Sequence, residues 1–449
     1  PRTLDHLLEA FLDNQDWAIT PRDARDGWAT AIDRHVVRPQ QFAAAGEDIA
    51  DGETDAAPAI QAAIEYVEAL GGGTVYLPVG EYLIESSLTV LGEHITIEGA
   101  GPGATRIVAG LGIAGTMFAH NMLNVRASNF LARGIWWIAD PTGNQNRSGR
   151  CINFRPVDSA LEWLTVENCR VDQASAAGIR TEGLSFNCTQ VRIVNCTSHG
   201  CAVPFAFDYR VEEGLIANNI AKSAGGYGIS LDRLTTSGSR QIVVANNIIE
   251  MASHGVRGIS ILGAQNVVVE GNIINSLGSG PAEGIRTASL VSGAIIGNRF
   301  LGAFTTALHV IGTQRSVFTG NIISGQTNGL NTDSNTINCL VQGNHFFGVT
   351  NPITGTLAAS NRVRNNFGLT TEAKGTATIG ASATSVTFNH GLSVTPSIQD
   401  IHLSWATDPL PIIAGMPWVS AITATQITVS VPTQPGGDGW TFGWQVQVL

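Results

Sequence analysis

Three carboxylates fall into register once the chain is cut at a recurring pair, a small residue followed by an apolar one. The segments Cys151-Ile-Asn-Phe-Arg155, Gly178-Ile-Arg-Thr-Glu182, Pro204-Phe-Ala-Phe-Asp208, Gly228-Ile-Ser-Leu-Asp232 and Gly258-Ile-Ser-Ile-Leu262 align. If each is a strand with its Ile or Phe turned inward, alternate residues face out. One outward row then reads Asn153, Arg180, Ala206, Ser230, Ser260, Arg286, His309, Asn331, and the next reads Arg155, Glu182, Asp208, Asp232, Leu262. Like charges on neighbouring strands repel, so Glu182, Asp208 and Asp232 in succession need a compensating reason. Hydrolysis of a glycosidic bond is one. Adjacent strands would hold two carboxyls about 5 Å apart and alternate strands about 10 Å, which brackets the separations used by retaining and inverting enzymes. Mutual repulsion raises one pKa and leaves an acid beside an ionised base. Arg155, Arg180 and Arg286 would orient hydroxyls or neutralise an acidic sugar. His309 shares the row of Arg286, while Trp136 and Tyr227 offer rings on which a pyranose would stack. The alternative is a surface network in which the arginines simply pair with the acids.

The element that must position these residues is a solenoid. Asn168, Asn195, Asn219, Asn247, Asn272, Asn298, Asn321, Asn344 and Asn366 recur at intervals of 22 to 28 residues. A second marker precedes the later ones, as in Gly258-Ile259, Gly284-Ile285, Ala307-Leu308, Gly329-Leu330 and Pro352-Ile353. Short β-branched runs broken by Gly and Asn fill the intervals, with no helical run among them. Such a period means repeats that acquire a core only by stacking. The fold expected is all-β, a right-handed parallel β-helix with the Asn at one corner. There an Asn tolerates the left-handed backbone and pairs through its amide with the next coil.

Composition supports this and excludes other classes. Charged residues are only 14% and Gly numbers 51, which suits many corners and strands buried on two sides. A net charge of −11 argues against nucleic acid as the target. The six cysteines make no C-x-x-C pairs and read as buried small residues rather than metal ligands. No run is long enough for a membrane span. Pro1 is not a translation start, so a preceding segment is expected.

Residues 1–41 read as a helical connector, with Leu4, Leu7, Leu8, Phe11 and Leu12 on one face that self-association about an axis would bury. Residues 42–368 make the β-helix, opened by Asp51-Gly-Glu-Thr-Asp55, an amphipathic helix over 56–70 with Ile60, Ile64 and Val67 on one face, and Gly71-Gly-Gly-Thr-Val-Tyr-Leu-Pro78. That helix should cap the open end of the solenoid. Residues 369–449 alternate Thr, Ser and Val with apolar residues between turns such as Asn389-His-Gly391, which reads as an antiparallel β-sandwich. Its expected role is trimer locking, end-capping or glycan binding, with His390 structural.

The order DGETD, AIQAAI, GGGTVYLPVGEY and Ile97-Glu-Gly-Ala-Gly101 resembles the opening of the pectate-lyase-like superfamily, and in particular of bacteriophage tailspike depolymerases. Ala18-Ile-Thr-Pro-Arg-Asp-Ala-Arg25 is similar to the short head near the start of many phage tail proteins, and the pattern around His390, Pro396, Trp440 and Trp444 resembles their C-terminal modules. The resemblance covers most of the chain. It implies a homotrimer in the virion tail, joined to the tail or baseplate through its N-terminus, that binds and usually cleaves a bacterial surface polysaccharide. It fixes neither the sugar nor a catalytic motif. With hydrolysis as the expected reaction, no cofactor is required. The likeness to pectate lyases leaves β-elimination open, with Ca²⁺ among Glu182, Asp208 and Asp232 and an Arg or His as base. A spike that binds without turnover is the third possibility. His199-Gly200 and His254-Gly255 are similar to a GHG element of polygalacturonases but lack its first Gly. Glu250, His254 and Glu283 fall at corners where, in a trimer, they would meet a neighbour's groove.

Overall fold

The computed structural model describes residues 35–448 apart from 114–120, 141–148, 233–238, 254, 279–281, 359, 371, 394, 407–415, 436 and 438. The expected N-terminal connector and His254 lie outside the described residues.

Each coil lays down three short strands, one on each of three walls, and every strand pair of the solenoid is parallel. Wall one is a 12-stranded sheet that includes Trp136–Ile138, Ile220–Ala224 and Ile248–Met251. Walls two and three join into one 22-stranded sheet, because Ala177–Val194 and Val203–Ala217 run on from one wall into the next. Wall two carries Arg150–Phe154, Tyr227–Leu231, Arg257–Leu262, Glu283–Ala288 and Thr306–Ile311. Its pairing confirms the register of the first row: Asn153 opposes Arg180, then Ala206, Ser230, Ser260, Arg286, His309 and Asn331 follow coil by coil, with Asn153, Ala206, Ser230 and Ser260 buried beneath their longer neighbours.

The two sequence markers have distinct physical jobs. The Gly marker sits where wall one turns into wall two and two successive residues face inward. A Cβ on Gly258 would meet Ile274 and the Gly284 carbonyl oxygen, and one on Gly284 would meet Phe300. A side chain there would collide with the core of the facing wall. The Asn marker divides into two adjacent positions. The left-handed corner is held by Asn168, Asn195, Asn218, Asn246 and Asn365, with φ of 50–57°, and by Gly271, Gly297, Gly320 and Gly343. The residue after it turns inward and forms the amide ladder Asn219, Asn247, Asn272, Asn298, Asn321, Asn344, Asn366. Asn168 and Asn195 therefore do not belong to the ladder. Cys169 and Cys196 hold its place in those coils, buried as expected, and the Cys196 amide donates to Asn219 Oδ1 at 2.8 Å.

The helix Ala57–Ala69 closes the solenoid's open end. It buries Ile60, Ile64 and Val67 and also satisfies strand-edge groups. Gln61 exchanges hydrogen bonds with the Thr89 backbone at 2.9 and 3.1 Å, and Glu68 accepts from the Leu91 and Gly92 amides. Beyond the last coil, two three-stranded antiparallel sheets share a core of Ile379, Ile427, Val429, Phe442 and Val446. His390 is buried between a Leu392 amide donor and the Thr423 carbonyl, which is a structural place. Among the described residues no helix is long and apolar enough to cross a membrane.

Candidate functional site

The second outward row closes wall two just before the chain turns into wall three. Glu182 opposes Asp208 directly, and the Tyr209 amide donates to the Asp232 carbonyl at 2.9 Å, so the three acids sit on consecutive coils. Their charges are compensated unequally. Glu182 Oε2 accepts from Asn153 Nδ2 at 3.1 Å and lies 3.5 Å from Arg150 Nη1, two donors from the preceding coil. Asp208 Oδ2 lies 2.6 Å from Arg180 Nε, whose N–H is not aligned for a hydrogen bond. The Asp208 side chain is only 12% exposed, and burial pushes its pKa up to about 6 in spite of Arg180, with Asp232 and Glu182 adding repulsion. Burial also raises Asp232, opposed by hydrogen bonds from Ser230 and Ser260 and by the charge of Arg257. One carboxyl that keeps its proton into mildly acidic pH thus stands beside one held by donors, which is the division acid–base chemistry needs.

A second cluster continues along the same wall. Glu283 receives Arg257 Nε at 2.9 Å on one oxygen and faces His309 Nδ1 at 2.5 Å with the other. Arg286 lies 3.8 Å away. Burial raises the Glu283 carboxyl, but His309 and Arg257 outweigh it and hold the group below its ordinary range. Arg257 in turn donates to Tyr227 Oη at 3.1 Å and lies over the Tyr227 ring. A carboxylate facing Nδ1 holds the proton there and leaves Nε2 as the basic nitrogen.

Wall two therefore brings together Glu182, Asp208, Asp232, Arg180, Tyr227, Arg286 and His309. Arg155 is exposed just past the end of its strand. Trp136 lies apart, on wall one. Its indole N–H donates to Asp172 at 3.0 Å, and the guanidinium groups of Arg170 and Arg106 lie 4.0 and 5.0 Å from its ring, so arginines occupy the surface that a pyranose would need. Glu250 is also on wall one, and Glu283 opens its wall-two strand at the bend from wall one. Arg150 and Arg257 complete both clusters and were missed. They belong to a further row, Tyr227, Arg257, Glu283, that immediately precedes the Gly marker. Strict alternation places that row inward, but the Gly–Ile bend turns it out. The residue before each marker was the signal. Among the described residues, no three His, Cys, Asp or Glu side chains converge to hold a metal ion.

Comparison with known proteins places this geometry in context. The mannuronan C5-epimerase AlgE3 of Azotobacter vinelandii is 27% identical over 248 residues, which are 51% of this chain and 13% of that protein. The chain thus spans a small part of that relative. Among solved structures, the A-module of the A. vinelandii mannuronan C-5 epimerase AlgE6 superposes with a TM-score of 0.58 at 20% identity, over 74% of this chain and 98% of that one. The Dettilon tailspike protein superposes with a TM-score of 0.54 at 14% identity, over 92% and 94%. At those identities both show a common fold alone. Residues 48–282, more than half of the sequence, match the family model described as Rhamnogalacturonase A/epimerase, pectate lyase-like, and the chain belongs to that family.

Proposed function

We propose that the protein hydrolyses a bacterial surface polysaccharide, with Asp208 as general acid and Glu182 as base or nucleophile. Asp232 on the next coil adds repulsion that helps to raise Asp208, and with Glu182, two coils away, it forms the pair at the wider spacing. The carrying observation is the registered acid row, with its buried member pushed up to about 6 and its neighbour held by Asn153 and Arg150. Adjacent strands about 4.8 Å apart suit a retaining pair, and Glu182 with Asp232 suits an inverting one. A tailspike that acts as a homotrimer at the host surface fits the superposition on the Dettilon protein along nearly the whole chain.

A second reading draws on the Tyr227–Arg257–Glu283–His309 chain and on the relatives named as mannuronan C5-epimerases. There His309 Nε2 takes the proton beside a uronate carboxylate that Arg286 neutralises. The resulting carbanion either expels the 4-O-linked sugar, leaving an unsaturated product, or is reprotonated on the other face. Incubation with a panel of bacterial surface polysaccharides in D₂O separates the readings. Shorter chains without ultraviolet absorbance or C5 deuterium support hydrolysis. Absorbance from an unsaturated uronate, or deuterium at C5 without shortening, moves the chemistry to His309. Binding without any change would mark a receptor-binding spike.

A further inference from the structure

The outer faces of the two C-terminal sheets are polar, and cross-strand neighbours there mostly satisfy one another. On one sheet Thr387 pairs with Thr428 at 2.9 Å and Ser430 with Ser420 at 2.7 Å. On the other, Thr378 meets Thr441 at 2.8 Å and Gln447 donates to Glu372 at 2.8 Å. The middle of this other sheet departs from the pattern. Strands Glu372–Ile379, Trp440–Gln447 and Ile401–Trp405 bring Lys374, Gln445 and His402 abreast, with Thr376, Gly443 and Ser404 in the next outward rank. The five side chains are exposed, and among the described residues no hydrogen bond joins any of them to another protein group. They surround a hollow of about 660 Å³, within the size range of small-molecule sites.

Gly443 opens that hollow. Its backbone is not left-handed, and an added Cβ would meet only Ser404, its hydroxyl at 3.1 Å and its carbonyl oxygen at 3.7 Å. Core packing does not require glycine here, in contrast to Gly375, whose Cβ would strike the Trp444 ring at 2.8 Å. Glycine inside a strand weakens it and marks a place where something approaches closely.

We propose that this hollow binds a saccharide that carries a carboxylate. The Thr376 and Ser404 hydroxyls and the Gln445 amide offer donors and acceptors together, which suits a ring bearing several hydroxyls. Lys374 is the single Lys or Arg of residues 369–449, which also hold Glu372, Asp400, Asp408 and Asp438. The one cation of an acidic module thus stands at the rim of its hollow, a charge match for an anionic group. Such a site needs neither the acid row nor His309, and it would hold a polysaccharide to the protein whichever of them acts on it.

Titration of the full chain with D-glucuronate and with D-glucose, followed by saturation-transfer NMR, tests this, because the two sugars differ only at C6. Glucuronate should bind with a Kd of about 1–10 mM. Glucose should bind about tenfold more weakly, for want of the charge-assisted bond. Lys374→Gln should bring glucuronate to the level of glucose. Gly443→Val fills the hollow with a residue that favours strands and should weaken both sugars about tenfold or more. Should Gly443→Val fail to fold, as judged by circular dichroism, the pair Thr376→Ala and Gln445→Ala carries the same test. Wild type that binds no glucuronate overturns the proposal. So does binding that survives Lys374→Gln and is lost in Arg286→Gln, which would place the sugar on wall two. Wild-type binding in Gly443→Val with an altered oligomeric state also overturns it and marks this face as a contact between copies.

Discussion

Asn246 and Asn247 are adjacent, and replacing them one at a time separates the two jobs of the asparagine corner. Asn247 is 1% exposed. Its Oδ1 accepts from the Asn219 amide and from Asn219 Nδ2, both at 3.0 Å, and its Nδ2 donates to the Ile216 carbonyl and to Asn272 Oδ1, both at 2.9 Å. Asn247→Ala removes all four bonds. Asn272 Oδ1 keeps the Asn247 backbone amide at 2.9 Å, so three buried groups lose a partner: two Asn219 N–H groups and the Ile216 carbonyl. At about 1–3 kcal/mol for each unsatisfied group, the loss is roughly 3–9 kcal/mol. Asn246 is exposed at φ 55°, where glycine is at home, so Asn246→Gly should stay within about 0.5 kcal/mol of wild type. Urea unfolding followed by circular dichroism, with the slope m checked for constancy, measures both. Equal losses at the two sites, or a larger loss at Asn246, would refute the assignment of the ladder to the second residue.

Other outcomes follow from the same geometry. Gly258→Ala should cost about 1–3 kcal/mol, read as a lowered urea midpoint, because its Cβ would be driven into Ile274 and the Gly284 carbonyl. Asp208 has a folded-state pKa raised from 3.8 to about 6. Its contribution to stability is therefore fully present below about pH 3.8 and lost as pH rises through about 6, amounting to about 3 kcal/mol at 1.36 kcal/mol per unit. The Asp208→Asn variant should accordingly gain on wild type by that amount between pH 4 and 8, measured by unfolding at each pH. All six cysteines are buried, and burial pushes Cys169 and Cys188 up to about 12. A thiol reagent at pH 8 should label none of them in the native protein and all six in urea.

The repeat period and the outward row of wall two were legible because a strand alternates with period two and Ile152, Ile179, Phe205 and Ile229 mark its inner face. The acid row followed from the same register. Two features were not legible, for one reason: alternation fails at corners. At the Gly–Ile bend two residues face inward, which hid Arg150 and Arg257 in a row that alternation counts as core. At the Asn corner the left-handed residue and the ladder residue are neighbours, so Asn168 and Asn195 looked like ladder members while Cys169 and Cys196 filled that role. Trp136 was misplaced differently. Its outward orientation could be read from the strand, but wall one or wall two could not be chosen without the bend, and wall one surrounds it with Arg106 and Arg170.

The central claim is that the chemistry belongs to the acid row, and the most direct test compares wild type with Asp208→Asn on a polysaccharide that the wild type shortens. Chain length is followed by size-exclusion chromatography and unsaturated ends by ultraviolet absorbance. Loss of the general acid should lower the rate by about 10²-fold or more, with the variant folded and still binding the polysaccharide. Cleavage by Asp208→Asn at the wild-type rate would contradict the account and move the active site to His309 and its neighbours.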